Sequence, residues 1–190
     1  MRWAFGILIA AIFVTALYLT SAVISVDALV RAAKAGNGAE VIARTNAERL
    51  RRSLVDQIVA AYLERTGQKK PLERLLANTY GASIADAMLQ KMLTPENLTK
   101  LLQTGVISGP DISTSVVPNI LSVDTSSLLE FLGRVQPVKI TEIAVRTSKS
   151  ADPETYSAVS IHFEGTGWKL SGINLPRNVT RQLASALPVK

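Results

Sequence analysis

The chain has 190 residues, with 21 Lys and Arg against 15 Asp and Glu, one His and no Cys, for a formal charge of +6. The absence of thiols excludes disulfide frameworks, thiolate zinc sites and cysteine nucleophiles. The densest basic stretch, Arg44, Arg49, Arg51 and Arg52, is interleaved with Glu48 and Asp56 and has no aromatic residue before Tyr62, which argues against nucleic acid as a partner.

Residues 3–26 contain no Asp, Glu, Lys or Arg. A hydrocarbon core about 30 Å thick is crossed by roughly 20 apolar residues of helix, so this run predicts an N-terminal transmembrane helix. The positive mean hydropathy of +0.22 comes largely from it. A cleaved signal has an apolar core of about 7–15 residues followed by a small-x-small site. This run is longer and continues through Val23, Ile24 and Val26, which favours an uncleaved anchor. Arg2 on one side and Arg31 and Lys34 on the other pull the charge rule in opposite directions.

Nothing between Val26 and Gly36 breaks a helix, so the anchor of residues 1–26 runs into the first helix of the domain, with its membrane part at residues 3–22. Gly36, Asn37 and Gly38 end it, since Gly and Asn accept the left-handed cap conformation. A short helix over 39–44 follows. Thr45 and Asn46 then cap a long helix whose Leu50, Leu54, Ile58 and Tyr62 recur every four residues. Gly67 closes it, and residues 68–71 form a loop. Helical pieces follow at 72–80 and 82–93, separated by Gly81, and Thr94-Pro95-Glu96 starts another that ends at Gly105.

The segment 27–105 is thus helical, and residues 106–138 read as a connection rich in Ser, Thr, Pro and Asp, with a turn of helix or an edge strand at 128–132. Residues 139–176 carry antiparallel strands, one over 139–147 and a hairpin around Gly165-Thr166. That hairpin pairs Phe163 with Trp168, Ile161 with Leu170, Val159 with Gly172 and His162 with Lys169. Residues 177–190 give a final amphipathic turn or helix. The fold class is α+β: a transmembrane helix, then amphipathic helices packed on an antiparallel sheet of at least three strands, in a domain spanning 27–190.

No catalytic, cofactor-binding or metal-ligating set emerges, and no cofactor is expected. His162 has no carboxylate on its strand face. No Gly-x-Ser-x-Gly occurs, and the paired glycines are too short for a phosphate loop. Asn97-Leu98-Thr99 and Asn178-Val179-Thr180 match the glycosylation triplet, which is short enough to arise by chance.

Several segments together resemble a known family. They are Ala28-Leu29-Val30-Arg31-Ala32-Ala33-Lys34-Ala35-Gly36-Asn37, Glu48-Arg49-Leu50-Arg51-Arg52-Ser53-Leu54, Thr94-Pro95-Glu96-Asn97-Leu98, Gly167-Trp168-Lys169-Leu170 and Ile173-Asn174-Leu175-Pro176. The pattern, covering nearly all of 18–176, is similar to a family of small bacterial proteins known as domain of unknown function 2939. Where such sequences tend to carry Val-Asp before the long helix, this one has Thr45-Asn46, which keeps a cap and drops a charge. The family implies a bacterial membrane-associated protein and brings no activity. More distantly, helices followed by a curved sheet resemble the NTF2-like, cystatin-like cone, which implies a pocket between helix and sheet or a dimer face.

The expected function is a non-catalytic binding or assembly module of the bacterial inner membrane, single-pass, with its domain on the periplasmic side. Its partners would be the bilayer through residues 3–22 and an unidentified protein, small molecule or second copy. One alternative is a ligand carrier or enzyme with a pocket lined by Leu54, Ile58, Met88, Ile161, Phe163, Trp168 and Leu170. Another is a lipid-surface regulator acting through the basic patch Arg44, Arg49, Arg51 and Arg52.

Overall fold

The computed structural model describes residues 2–67, 71–109, 112–116, 133–147, 152, 154–165 and 167–187. Six helices and six strands are assigned among them: α1 (Arg2–Lys34), α2 (Gly38–Ala43), α3 (Ala47–Thr66), α4 (Pro71–Met92), α5 (Pro95–Thr104), β1 (Val106–Gly109), β2 (Ile112–Val116), β3 (Val135–Lys139), β4 (Glu142–Arg146), β5 (Ala158–Glu164), β6 (Gly167–Asn174) and α6 (Arg177–Ser185). The α+β class is as the sequence predicts. The loop expected at 68–70 and the turn expected at 128–132 lie outside the described residues.

The apolar N-terminal stretch and the first domain helix are one uninterrupted α1 of 33 residues. Its end is stopped by Gly36 at φ 68°, in the left-handed region that costs Gly little. Helix α3 is capped by Asn46, whose side chain accepts from the Arg49 N–H at 2.9 Å, and is closed by Gly67 at φ 61°. Leu50, Leu54, Ile58 and Tyr62 are all buried, so the four-residue spacing marks the core face. Thr94 caps α5 by accepting from the Asn97 N–H at 3.2 Å.

Four sequence expectations are corrected. Gly81 does not divide two helices: α4 runs through it, and the glycine is buried because a Cβ there would meet the Tyr62 ring at 3.3 Å. The connection at 106–138 opens with the antiparallel pair β1–β2 and closes with β3. The strand expected over 139–147 is β4 alone, preceded by a turn at Ile140 and Thr141. In the final hairpin Val159 pairs with Ile173, because the register shifts between Ser160 and Ile161 and inserts Ser171 as an extra residue. The Phe163–Trp168, Ile161–Leu170 and His162–Lys169 pairs form as predicted.

The main sheet is a meander, β3-β4-β5-β6, antiparallel throughout. One face presents Ile143, Val145, Val159, Ile161, Trp168, Leu170 and Ile173 to a buried cluster shared with α1 and α3. Helices α4 and α6 pack on the far side of α3, which is therefore the central element. The free edge of β6 is covered by residues 44–46. Thr45 bridges Leu170 in parallel, with Asn46 N donating to Leu170 O at 2.8 Å and Leu170 N donating to Arg44 O at 2.9 Å. Main-chain groups that an open edge would expose are thus partly satisfied.

Candidate functional site

Helix α1 divides into two halves of opposite character. From Trp3 to Leu17 its described side chains face solvent, and Trp3 is 89 % exposed. From Ala22 to Ala33 one face of the same helix is core: Ala22, Val26, Leu29, Val30 and Ala33 are each at most 3 % exposed. Within Gly6–Lys34 lies an 18-residue window of mean hydropathy 2.5, of which 11 % is buried. This helix is long and apolar enough to cross a membrane.

The two halves meet at an aromatic cluster. Tyr18 of α1 lies 4.8 Å from Trp168 and 5.7 Å from Phe163 between ring centroids, and Phe163 and Trp168 are 5.5 Å apart, nearly edge to face. Tilted and edge-on pairs of this kind contribute beyond their buried area. The indole N–H of Trp168 donates to Ser21 Oγ at 3.0 Å, and the Ser21 hydroxyl donates back to Tyr18 O at 2.7 Å. The Tyr18 hydroxyl donates to the carbonyl of Ile140, at the tip of the β3–β4 turn. Ile140 is 90 % exposed and Val138 beside it is 53 % exposed. The aromatic residues were visible in the sequence, but their meeting was not, because they lie on elements brought together only by tertiary packing.

Glu164, at the start of the β5–β6 turn, gathers polar groups at the same end of the domain. It accepts from Asn46 Nδ2 at 2.5 Å, and Arg49 and Lys169 each lie 3.7 Å from its carboxylate. The other basic-patch arginines are paired as well: Arg44 with Glu40 at 2.7 Å, Arg51 with Asp86 at 2.8 Å and Arg52 with Glu48 at 2.7 Å. The four arginines therefore point to four different acidic partners.

Of the side chains expected around a pocket, Leu54, Ile58, Ile161, Trp168 and Leu170 lie in one continuous buried cluster, with Met88 and Phe163 packed against its margin. An apolar cleft, about 620 Å³ including its mouth, opens among α3, α4, α5 and α6 and shares Leu54 with that set. It is lined by Leu54, Leu89, Met92, Leu98, Leu175 and Leu183, with Asn97 and Lys100 at the polar end.

Glu142 is the cross-strand partner of His162, so a carboxylate does share the histidine's face, contrary to the sequence reading. The neighbour comes from β4, whose register the sequence did not specify. Among the described residues no group of three or more His, Cys, Asp or Glu is placed to hold a metal ion.

A family model described as "Protein of unknown function (DUF2939)" matches residues 11–101, from the first third of α1 through most of α5. Over that segment the chain is similar to this family, in line with the sequence resemblance. The Trp168 and Leu175 segments that also carried the resemblance fall beyond the match. No curated protein and no solved structure matches the chain.

Proposed function

We propose that the chain is a single-pass membrane protein of the bacterial envelope whose α+β domain is a non-catalytic binding or assembly module, displayed on the periplasmic side. The observation that carries this reading is the division of α1 into a solvent-facing apolar half and a half buried in the domain. A core helix of a water-soluble protein is buried along its length, whereas a contiguous apolar surface of this size marks an interaction site that lipid would cover. Removal as a signal would require a cut that spares Ala22, Val26 and the buried residues after them.

The charge rule acts on short flanking loops, and long domains cross largely regardless of it. Arg2 ahead of the span favours that flank inside and the domain outside, while Arg31 and Lys34 on the domain flank count the other way. The ligand-carrier alternative is weakened by Ile58, Ile161 and Leu170, each at most 2 % exposed where α3 packs on the sheet. An NTF2-like cone would hold its pocket in that same space.

Membrane fractionation tests the anchor. The full chain should stay in the pellet through alkaline carbonate washing, and its release would overturn the reading. Fusion of a periplasm-active or a cytoplasm-active reporter after Lys190 tests orientation, with activity expected only from the former.

A further inference from the structure

We propose that the domain is seated in the bilayer interface rather than held above it, with the β3–β4 turn making a second lipid contact beside α1. This rests on the reading of α1 as a membrane span. The argument begins with length. The stretch of α1 over 3–17, whose described side chains all face solvent, covers about 22 Å at 1.5 Å per residue. A hydrocarbon core is about 30 Å thick, so about five more residues must lie within it. Those residues reach Ala22, which is 0 % exposed because the domain is packed on it.

The outward face of α1 meanwhile stays apolar for longer. Ile24 is 60 % exposed, and the next charges are Asp27 and Arg31, paired with each other at 2.9 Å. Lipid can therefore follow one side of the helix for about 33 Å, from Trp3 to Ile24, while the domain begins on the other side at Tyr18. Both conditions hold together when the base of the domain occupies the headgroup layer.

The chemistry of that base fits this position. Tyr18, Phe163 and Trp168 form its centre, and Tyr and Trp are the side chains that settle at membrane–water interfaces. The hydrogen bond from Tyr18 to the Ile140 carbonyl fixes the β3–β4 tip at the level of Tyr18. There Ile140 is 90 % exposed with Val138 nearby, and Lys139, its side chain 73 % exposed, can bury its stem while its ammonium reaches water. Arg49 and Lys169 on the same rim are already turned to Glu164. The seat is thus apolar first, and it does not require anionic lipid.

The chain has no cysteine and two tryptophans, which makes depth measurable in the full-length protein. Single variants Ile9→Cys, Ile140→Cys and Lys100→Cys would be labelled with the fluorophore NBD and reconstituted in phosphatidylcholine vesicles bearing shallow or deep nitroxide lipids. Lys100 is the control, since α5 lies beside Ala33 through Gln103, whose side chain donates to Ala33 O at 2.6 Å, about 22 Å beyond Tyr18 along α1. We expect emission at position 9 to fall with deep nitroxides, emission at position 140 to fall with shallow ones, and position 100 to be unaffected.

Quenching at 9 with position 140 behaving like position 100 would overturn the seat and leave the anchor standing. No quenching at 9 would overturn both. Trp3→Phe leaves Trp168 as an intrinsic probe without an added apolar label. Its emission should also fall with shallow nitroxides, and an unchanged signal would likewise overturn the proposal.

Discussion

Asn46 donates from Nδ2 to Glu164 Oε1 at 2.5 Å, across a sequence separation of 118 residues. The same side chain caps α3 through Oδ1, and its backbone N–H donates to Leu170. One residue thereby ties the start of the central helix to both strands of the last hairpin. The amide is required for this because a carboxylate could cap the helix but could not donate to Glu164.

Asn46→Asp should therefore keep the cap and still destabilise the domain by about 1–3 kcal/mol, since a hydrogen bond becomes a contact between two carboxylates in a half-buried site. Adding Glu164→Gln should recover part of the loss by supplying a donor. Thermal unfolding of the single and double variants in detergent would measure the coupling. An additive pair would show that the two residues act separately.

Gln57 is a second tie that no sequence pattern announces. Its Nε2 donates to Ile173 O at 2.8 Å, and its Oε1 accepts from Leu175 N at 2.8 Å, so the amide reads the end of β6 in both senses. Gln57→Leu would leave a main-chain donor and acceptor unpaired, at a cost of about 1–3 kcal/mol. Gln57→Glu keeps the acceptor alone and should fall between the two. Denaturant midpoints at constant slope would rank the three chains.

Gly172 lies where α3 presses closest on the sheet. A Cβ there would meet Ser53 Oγ at 3.0 Å and Ser160 Cβ at 3.4 Å. Gly172→Ala should lower stability by about 1–2 kcal/mol through overpacking, and Ser53→Ala in the same chain should relieve part of it by removing the nearer atom. Gly81→Leu should cost about 1–3 kcal/mol for a related reason, because the added side chain enters the space of the Tyr62 ring. A gain in stability at Gly81 would mean that helix propensity outweighs the contact.

These positions show where sequence reading stops. The core face of α3, the caps at Asn46 and Thr94 and the hairpin at Gly165 are local patterns with fixed periods or turn chemistry, and each was legible. The β5–β6 bulge was not, because alternation gives no sign of an inserted Ser171 until the strands are paired. Gly81 misled for a physical reason: a glycine within a helix is read as a break unless the neighbouring helix is known to need its space. The Tyr18, Phe163 and Trp168 cluster joins residues far apart in the chain, and no spacing rule connects them. The apolar half of α1 was the easiest feature to read, since composition alone defines it, and the buried half was recognised from the absence of any helix breaker before Gly36.

Truncation separates the two roles of α1 most directly. A chain lacking residues 1–17 loses the solvent-facing half and no described buried residue, so it should fold, remain soluble and unfold cooperatively. A chain lacking residues 1–34 loses Ala22, Val23, Val26, Leu29, Val30, Ala32 and Ala33 from the core, together with the acceptors for Gln103 and Trp168. Burying a Val or Leu side chain contributes about 1.5–3 kcal/mol, and a domain is marginal by about 5–15 kcal/mol, so this loss exceeds what the remainder can absorb. The longer truncation should give an aggregated or unfolded product by circular dichroism. A cooperative transition from it would show that α1 is only an anchor and that the domain core closes without it.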